Sequence, residues 1–360
     1  MSSKSSLSYF NKFVTNNLAT NMPKKLQPLF LFGVKAFVLQ PLVSCNSNAR
    51  RAHPGSRAAA EQQMYRLLHH KRLFIQLWRT LAKELPLAPQ DVVNVDYSNL
   101  GPLAILGFAK QTRRGRAMPV LMRALASNTQ GYKKSHPNYG KLKTYYQTWK
   151  KTVKADQFSF VLKSLRLLKY LYGVQPRLVF DRGFVNQSIV QFLSDHSWIF
   201  YMRMRDDFSV EISGRRQYIG ELAEGQYSII WANRTLRLIV TKPRSRYAQP
   251  WYIMTNDLET QPAKIAKLYY HRFEIEESFR DLKTLFRLRW STLRSWQSLR
   301  VVLCFMSIGL ICALKQLSQK TILAYQALQP KKQLSVIRIW YERLEHDKLM
   351  LASKKLKLLL

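Results

Sequence analysis

Tyr269-Tyr270-His271-Arg272-Phe273-Glu274-Ile275-Glu276-Glu277-Ser278-Phe279-Arg280-Asp281-Leu282-Lys283 is the stretch on which the reading of this chain turns. Pro262, a residue suited to the first turn of a helix, precedes it, and the pattern predicts one long helix from Pro262 to about Phe286. At ~100° per residue, Tyr269, Arg272, Glu276 and Lys283 then share a sector of about 60° on one face. One carboxylate would stand among a phenol and two cations. Taken alone, the spacing is also that of an ordinary i,i+4 ion pair between Arg272 and Glu276, which contributes only a few tenths of a kcal/mol.

Upstream, two apolar runs end in an acid: Val92-Val93-Asn94-Val95-Asp96 and Arg177-Leu178-Val179-Phe180-Asp181. Each reads as a strand followed by a small or polar turn, Tyr97-Ser98 in one case and Arg182-Gly183 in the other, so that both carboxylates point into a common edge. A lone acid at such a place is more often a helix cap or turn former, and the weight therefore rests on the pair. Between them lie a second strand (Leu103 to Lys110), a turn at Arg113 to Arg116, a basic aromatic loop (Tyr132 to Trp149) and a helix from about Asp156 to Leu171. The first two strands read as antiparallel, and the succession strand, helix, strand implies that the two acid-bearing strands run parallel.

After Asp181 come a short helix near Asn186 to Leu193 and a strand from Trp198 to Arg203. From Phe208 to Thr241 the alternation is strand-like, broken at Gly214, Gly220 and Gly225, which predicts a β subdomain inserted at about 206–248. The strand Trp251 to Thr255 closes it. On the N-terminal side, Ala58 to Leu85 reads as a basic amphipathic helix, while residues 1–55 show no helix-turn-helix pattern. Val301 to Leu314 is a run of 14 largely apolar residues, short of the ~20 needed to span a bilayer, and predicts a buried helix. The expected organisation is a basic, mostly helical region at 1–90, an α/β core at 91–286, and a helical basic region at 287–360.

Fifty-eight Lys and Arg against 21 Asp and Glu leave a formal charge of +37, a field that attracts polyanions, nucleic acid first among them. With 47% hydrophobic and 12% aromatic residues the chain is too apolar for a disordered polycation. A protein that only coats nucleic acid fits the composition equally well. Three cysteines, Cys45, Cys304 and Cys312, form neither a disulfide framework nor a zinc knuckle, in keeping with a reducing cytoplasm. His69 and His70 are adjacent, so they face different ways on a helix and are not a metal pair.

The spacing Tyr, two residues, Arg, three residues, Glu, six residues, Lys resembles the signature of the IS-four family of insertion-sequence transposases, at Tyr269, Arg272, Glu276 and Lys283. Asp181-Arg182-Gly183-Phe184 resembles that family's second acid with its Gly and aromatic, and Asp96 its first. The resemblance implies a ribonuclease H-like core, a mixed sheet flanked by helices, with the β subdomain inserted between the second Asp and the Glu. It implies that Asp96, Asp181 and Glu276 are catalytic and hold two Mg²⁺, with Mn²⁺ as a substitute. Tyr269, Arg272 and Lys283 would hold DNA phosphates, and Trp251 would stack a flipped base, although a tryptophan packed beside a core strand fits Trp251 as well.

The activity so implied is strand cleavage and strand transfer at insertion-sequence ends through a DNA hairpin. Its partners would be double-stranded transposon ends and target DNA, bound by a homodimer in a synaptic complex, with no membrane, in the bacterial cytoplasm at the nucleoid. A DNA-binding remnant without activity and a nuclease without a joining step are the alternatives.

Overall fold

A computed structural model of the chain describes residues 6–39, 44–127, 139–241, 250–288, 293, 295–317 and 338–347. The start of the expected basic loop, the end of the β insertion and most of the tail lie outside these residues. In chain order the elements are α1 (Ser6–Asn11), a π-helical stretch (Lys12–Ala19), α2 (Gln27–Phe37), α3 (Cys45–Ala52), α4 (Arg57–His69), α5 (Leu73–Glu84), β1 (Val92–Leu100), β2 (Leu103–Lys110) and β3 (Met118–Ala126). There follow α6 (Tyr139–Val153), α7 (Gln157–Tyr172), β4 (Arg177–Phe180), α8 (Gln187–Asp195), β5 (Phe200–Met204), β6 (Ser209–Ile212), β7 (Arg215–Tyr218), β8 (Gly225–Trp231), β9 (Arg234–Thr241), β10 (Trp251–Thr255), α9 (Pro262–Tyr270), α10 (Phe273–Thr284) and α11 (Trp296–Gln316). They form two compact units: Met1–Leu85 with Met118–Ala124 and Glu277–Leu360, and Pro86–Ala117 with Leu125–Glu276.

The first unit is built on α11. Ser298, Leu299 and every residue from Val301 to Leu314 are buried, and α2, α4 and α5 pack on this helix. By length and composition α11 could cross a membrane, but 89% of its apolar window is buried, as a core helix requires. Close packing depends on small residues. A Cβ on Gly33 would sit 2.3 Å from the Phe305 ring, and one on Gly309 would sit 2.8 Å from the Phe286 ring. Residues 1–55, unreadable in the sequence, are largely helical where they are described. The expected single helix from Ala58 to Leu85 is two helices, α4 and α5.

The second unit is a mixed sheet with helices packed on it. Its strands run in the order β2-β1-β4-β5-β10-β9-β8-β6-β7. β1 is antiparallel to β2 and parallel to β4, and β4 is parallel to β5. The crossover helix α7 has its ends written in the sequence: Asp156 and Ser159 form a reciprocal capping box, and Gly173 closes the other end at φ 70°. β4, with Leu178, Val179 and Phe180 all buried, has the continuous apolar character of an interior parallel strand. β6 to β9 are antiparallel hairpins whose two-residue turns, Ser213-Gly214 and Ala232-Asn233, lie at positive φ, the backbone twist such turns require.

Three expectations fail here. The part of the expected basic loop from Tyr139 to Trp149 lies in helix α6. β1 does not end at Asp96 but continues to Leu100, because Tyr97 and Ser98 pair with Leu106 and Ile105 of β2. The helix expected from Pro262 to Phe286 is interrupted at His271-Arg272, between α9 and α10. α9 lies on the sheet face formed by Val179, Tyr201, Ile239 and Ile253, burying Ile265, Leu268 and Tyr269 against it.

Candidate active site

Register brings the two aspartates together. Val95 of β1 pairs with Phe180 of β4 in the parallel ladder, so Asp96 and Asp181 follow at the same level on neighbouring strands. Asp96 is held by two bonds: Oδ1 accepts from the Tyr97 N–H at 2.7 Å and Oδ2 from Arg272 Nη1 at 3.1 Å. After Asp181 the chain makes a short turn, Arg182–Phe184, and Phe184 stacks on Tyr97 with ring centroids 4.8 Å apart. That stack ties the backbone after one acid to the backbone after the other. Asp181 Oδ1 accepts from the Tyr269 hydroxyl at 3.4 Å.

The break between α9 and α10 is held from the sheet. Asn94, fully buried two residues before Asp96 and therefore on the same face of β1, donates from Nδ2 to the carbonyls of His271 (3.0 Å) and Arg272 (3.4 Å). Gln111 donates to Asn94 Oδ1 (2.7 Å) and to the Leu268 carbonyl (2.8 Å). The Leu268 carbonyl near the end of α9 finds a partner in this way, and the carbonyls of His271 and Arg272 gain a second one beside the N–H groups of Glu274 and Ile275, both at 3.2 Å. Glu274 fixes the start of α10, accepting from the Thr112 N–H at 2.8 Å, and His271 lies beside it at 3.4 Å.

Because the helix is broken, Tyr269, Arg272 and Glu276 do not share a straight helical face as the spacing predicted. Tyr269 is buried in α9, Arg272 lies in the turn, and Glu276 stands one turn into α10. They nevertheless meet. The Arg272 side chain, 5% exposed, bridges Asp96 and Glu276 with bonds of 3.1 and 2.7 Å, the Glu276 side chain being 46% exposed. Its guanidinium also lies 4.8 Å from the Phe273 ring centroid and 5.8 Å from that of Tyr269.

Burial pushes the Asp96 carboxyl up to about 7, against the pull of Arg272 and the Tyr97 N–H, and the charges of Asp181 and Glu276 push the same way. For Arg272, desolvation works to lower the pKa but is outweighed by Tyr269, Asp181, Asp96 and Glu276, so the group is held above the ordinary arginine value. The Tyr269 phenol is raised, chiefly by burial, with Arg272 opposing and Asp181 adding to the shift, and it remains a donor. The site is thus a crowd of carboxylates whose repulsion one buried cation relieves.

Oxygen donors of this kind suit a hard divalent cation. Among the described residues no three Asp, Glu, His or Cys side chains already stand together as a ready metal group. Arg272 occupies the space between Asp96 and Glu276. The donor set fits a divalent cation in its chemistry, and Arg272 now stands between two of its members.

Trp251, half-buried at the start of β10, packs edge-on against Tyr269 at 5.4 Å between centroids and borders the apolar cluster under α9. Lys283 lies seven residues beyond Glu276 in α10 and is half-buried. Sequence reasoning missed Asn94 and Gln111, for which the signal was a polar residue alternating with Asp96 in an otherwise apolar strand. It also read Arg203 only as the end of a strand.

Comparison with known proteins bears on the same residues. No curated protein matches the chain. A cryo-EM structure of a piggyBac transposase synaptic complex with hairpin DNA is similar at a TM-score of 0.43 and 11% sequence identity, over 94% of this chain and 79% of that one. Residues 148–312, just under half of the chain and including Asp181, Trp251, Tyr269, Arg272, Glu276 and Lys283, match the family model of the transposase DDE domain.

Proposed function

We propose that the chain is a DNA transposase of the IS-four type, cutting and joining strands at insertion-sequence ends. The observation that carries this reading is the convergence of Asp96, Asp181 and Glu276, from three separate elements, around one buried arginine. The match of 148–312 to the transposase DDE domain supports it. The strand order β2-β1-β4-β5, with one antiparallel and two parallel pairings, supports a ribonuclease H-like core.

Asp96, Asp181 and Glu276 would hold Mg²⁺, or Mn²⁺ in its place. Bound divalent ions would activate the attacking oxygen and stabilise the leaving one in an in-line displacement. Arg272 would release Asp96 and Glu276 and turn to DNA phosphate, a planar fork meeting two oxygens. The Tyr269 hydroxyl keeps Asp181 oriented. Water attacks first at the transposon end, and the freed 3'-hydroxyl then attacks the opposite strand to give a hairpin. Trp251 would stack the base displaced by that turn, contributing ~1 to 3 kcal/mol. Lys283 would add a phosphate contact. Two ends imply a dimer in the working complex, in the cytoplasm where the DNA lies.

The test is cleavage of a labelled duplex carrying the element's own ends, with and without Mg²⁺, by the wild type and Glu276→Gln. Metal-dependent nicking and a hairpin, both lost in Glu276→Gln while binding persists, support the transposase. A DNA-binding remnant is the second reading, favoured by Arg272 filling the centre of the acids. Salt-sensitive binding without cleavage by either protein selects it.

A further inference from the structure

We propose that Arg203 is a further DNA-binding residue of this site, taking the backbone phosphate next to the one under attack. The inference rests on the transposase reading above. Its starting point is position. The parallel ladder of β4 and β5 ends at Phe180 paired with Met202, so Arg203 follows beside Asp181. On its other side Arg203 pairs with Ile253 of β10, two residues from Trp251. Alternation from Tyr201 puts Arg203 on the sheet face that α9 covers, the face of Val179, Ile253 and Trp251. It is near enough to Tyr269 for its charge to be felt at that hydroxyl.

What singles out Arg203 is its lack of partners. Arg177 and Arg237 stand on the same face, two residues from Val179 and Ile239 respectively, and both have partners for their terminal nitrogens, although Arg237 Nε is also buried without one. Arg177 donates to the Tyr201 hydroxyl (3.1 Å), Asp257 (3.4 Å) and Thr260 (3.1 Å). Arg237 donates to the carbonyls of Asp257, Leu258 and Thr260. Arg203 is half-buried, its Nε is buried without a hydrogen bond, and among the described residues no carboxylate lies within ion-pair distance of it. A guanidinium with one N–H buried and unpartnered carries a cost, and a ligand that supplies the missing acceptor offsets it.

The anion expected is a phosphodiester. A small free anion would gain little beside Asp181, whereas a phosphate carried in by a duplex is held by contacts elsewhere. Phosphate also matches the guanidinium fork. Asp181, Arg203 and Trp251 therefore mark a track from the attacked phosphate to the next one and on to a stacked base.

The test uses the full chain and a fluorescent duplex carrying the terminal sequence that flanks its coding region, with the phosphates around the cleavage position replaced one at a time by neutral methylphosphonate. Binding is measured by anisotropy in EDTA, so that the readout is independent of turnover. One methylphosphonate is expected to weaken wild-type binding about tenfold and to leave Arg203→Gln unaffected. Arg203→Gln itself should weaken binding of the unmodified duplex by a similar factor and reduce the salt slope by about one. Arg203→Lys, which keeps the charge, should recover part of the loss and serves as the variant if Arg203→Gln does not fold. Methylphosphonate profiles that are parallel in wild type and variant would overturn the role of Arg203 and reduce it to a counter-charge for Asp181. If the wild type still nicks with Mg²⁺ in that case, the transposase reading survives. A wild type that neither binds nor nicks this duplex overturns both.

Discussion

Arg272→Gln removes the one cation that the carboxylates share, and its effect can be worked from the structure. The bond to Asp96 is charge-assisted and mostly buried, with side chains 5% and 14% exposed, and such a bond contributes ~1.5 to 3 kcal/mol. The bond to Glu276 reaches a side chain 46% exposed, so solvent screening leaves it ~0.3 to 0.5 kcal/mol. Leaving a buried charge uncompensated costs ~3 to 5 kcal/mol. That full cost is not reached here, because Asp96, already lifted to about 7 by burial, takes up a proton. The expected loss near neutral pH in EDTA is ~2 kcal/mol, a fall of ~4 to 8 °C in melting temperature for a unit of this size. Thermal melts in EDTA and in millimolar Mg²⁺ provide the assay. Mg²⁺ should raise the melting temperature of Arg272→Gln more than that of the wild type, because binding to the folded state no longer competes with the guanidinium. Arg272→Lys, which keeps the charge and loses the fork, should fall between them. Equal melting of variant and wild type in EDTA, or an equal rise in both with Mg²⁺, would refute the account of Arg272 as the stand-in cation.

Asp96 binds its proton more tightly in the folded than in the unfolded chain, since burial raises it from the ordinary 3.8 to about 7. Stability of the metal-free protein should therefore fall as pH rises from about 4 to about 7, by up to ~1.4 kcal/mol per unit, and then level off. Asp96→Asn should flatten that slope in urea titrations taken at several pH values. Asn94→Ala removes the side chain that ties β1 to the His271 and Arg272 carbonyls, which keep their bonds from the Glu274 and Ile275 N–H groups, and leaves the Gln111 amide with the Leu268 carbonyl as acceptor, costing ~1 kcal/mol. Hydrogen exchange should then quicken around the α9–α10 junction and leave β8 and β9 as they were. Gly33→Ala places a methyl 2.3 Å from the Phe305 ring and should cost ~1 to 3 kcal/mol by denaturant titration.

Elements specified by their own residues were legible in the sequence. α7 carries its capping acid and closing glycine, Ser213-Gly214 marks a tight turn, and the apolar run before Asp181 reads as an interior strand. What escaped was decided at long range. Tyr97 and Ser98 read as a turn, yet β2 supplies them with ladder partners and β1 runs on. Nothing between Pro262 and Phe286 breaks a helix locally, with neither Pro nor Gly after the first position. The interruption at His271-Arg272 is held by Asn94 and Gln111, more than 150 residues away in sequence. Arg203 offered no signal of its own, because its meaning depends on which partners the folded sheet denies it.

The broken helix explains why four residues spaced for one helical face can hold different parts of one site. In a straight helix Tyr269 would project from the same face as Glu276, and a side chain buried at one end of that face would draw the other end down with it. The turn at His271-Arg272 separates the two demands. α9 can press Tyr269 into the apolar face of the sheet, where its hydroxyl meets Asp181, while α10 keeps Glu276 half in solvent. Arg272 sits at the joint and is bonded to both Asp96 and Glu276. A substitution that restored continuous helix there would therefore do more harm than one that removed a single contact. It would move Arg272 and Glu276 together with respect to the aspartates, which stay where the β1 and β4 ladder holds them.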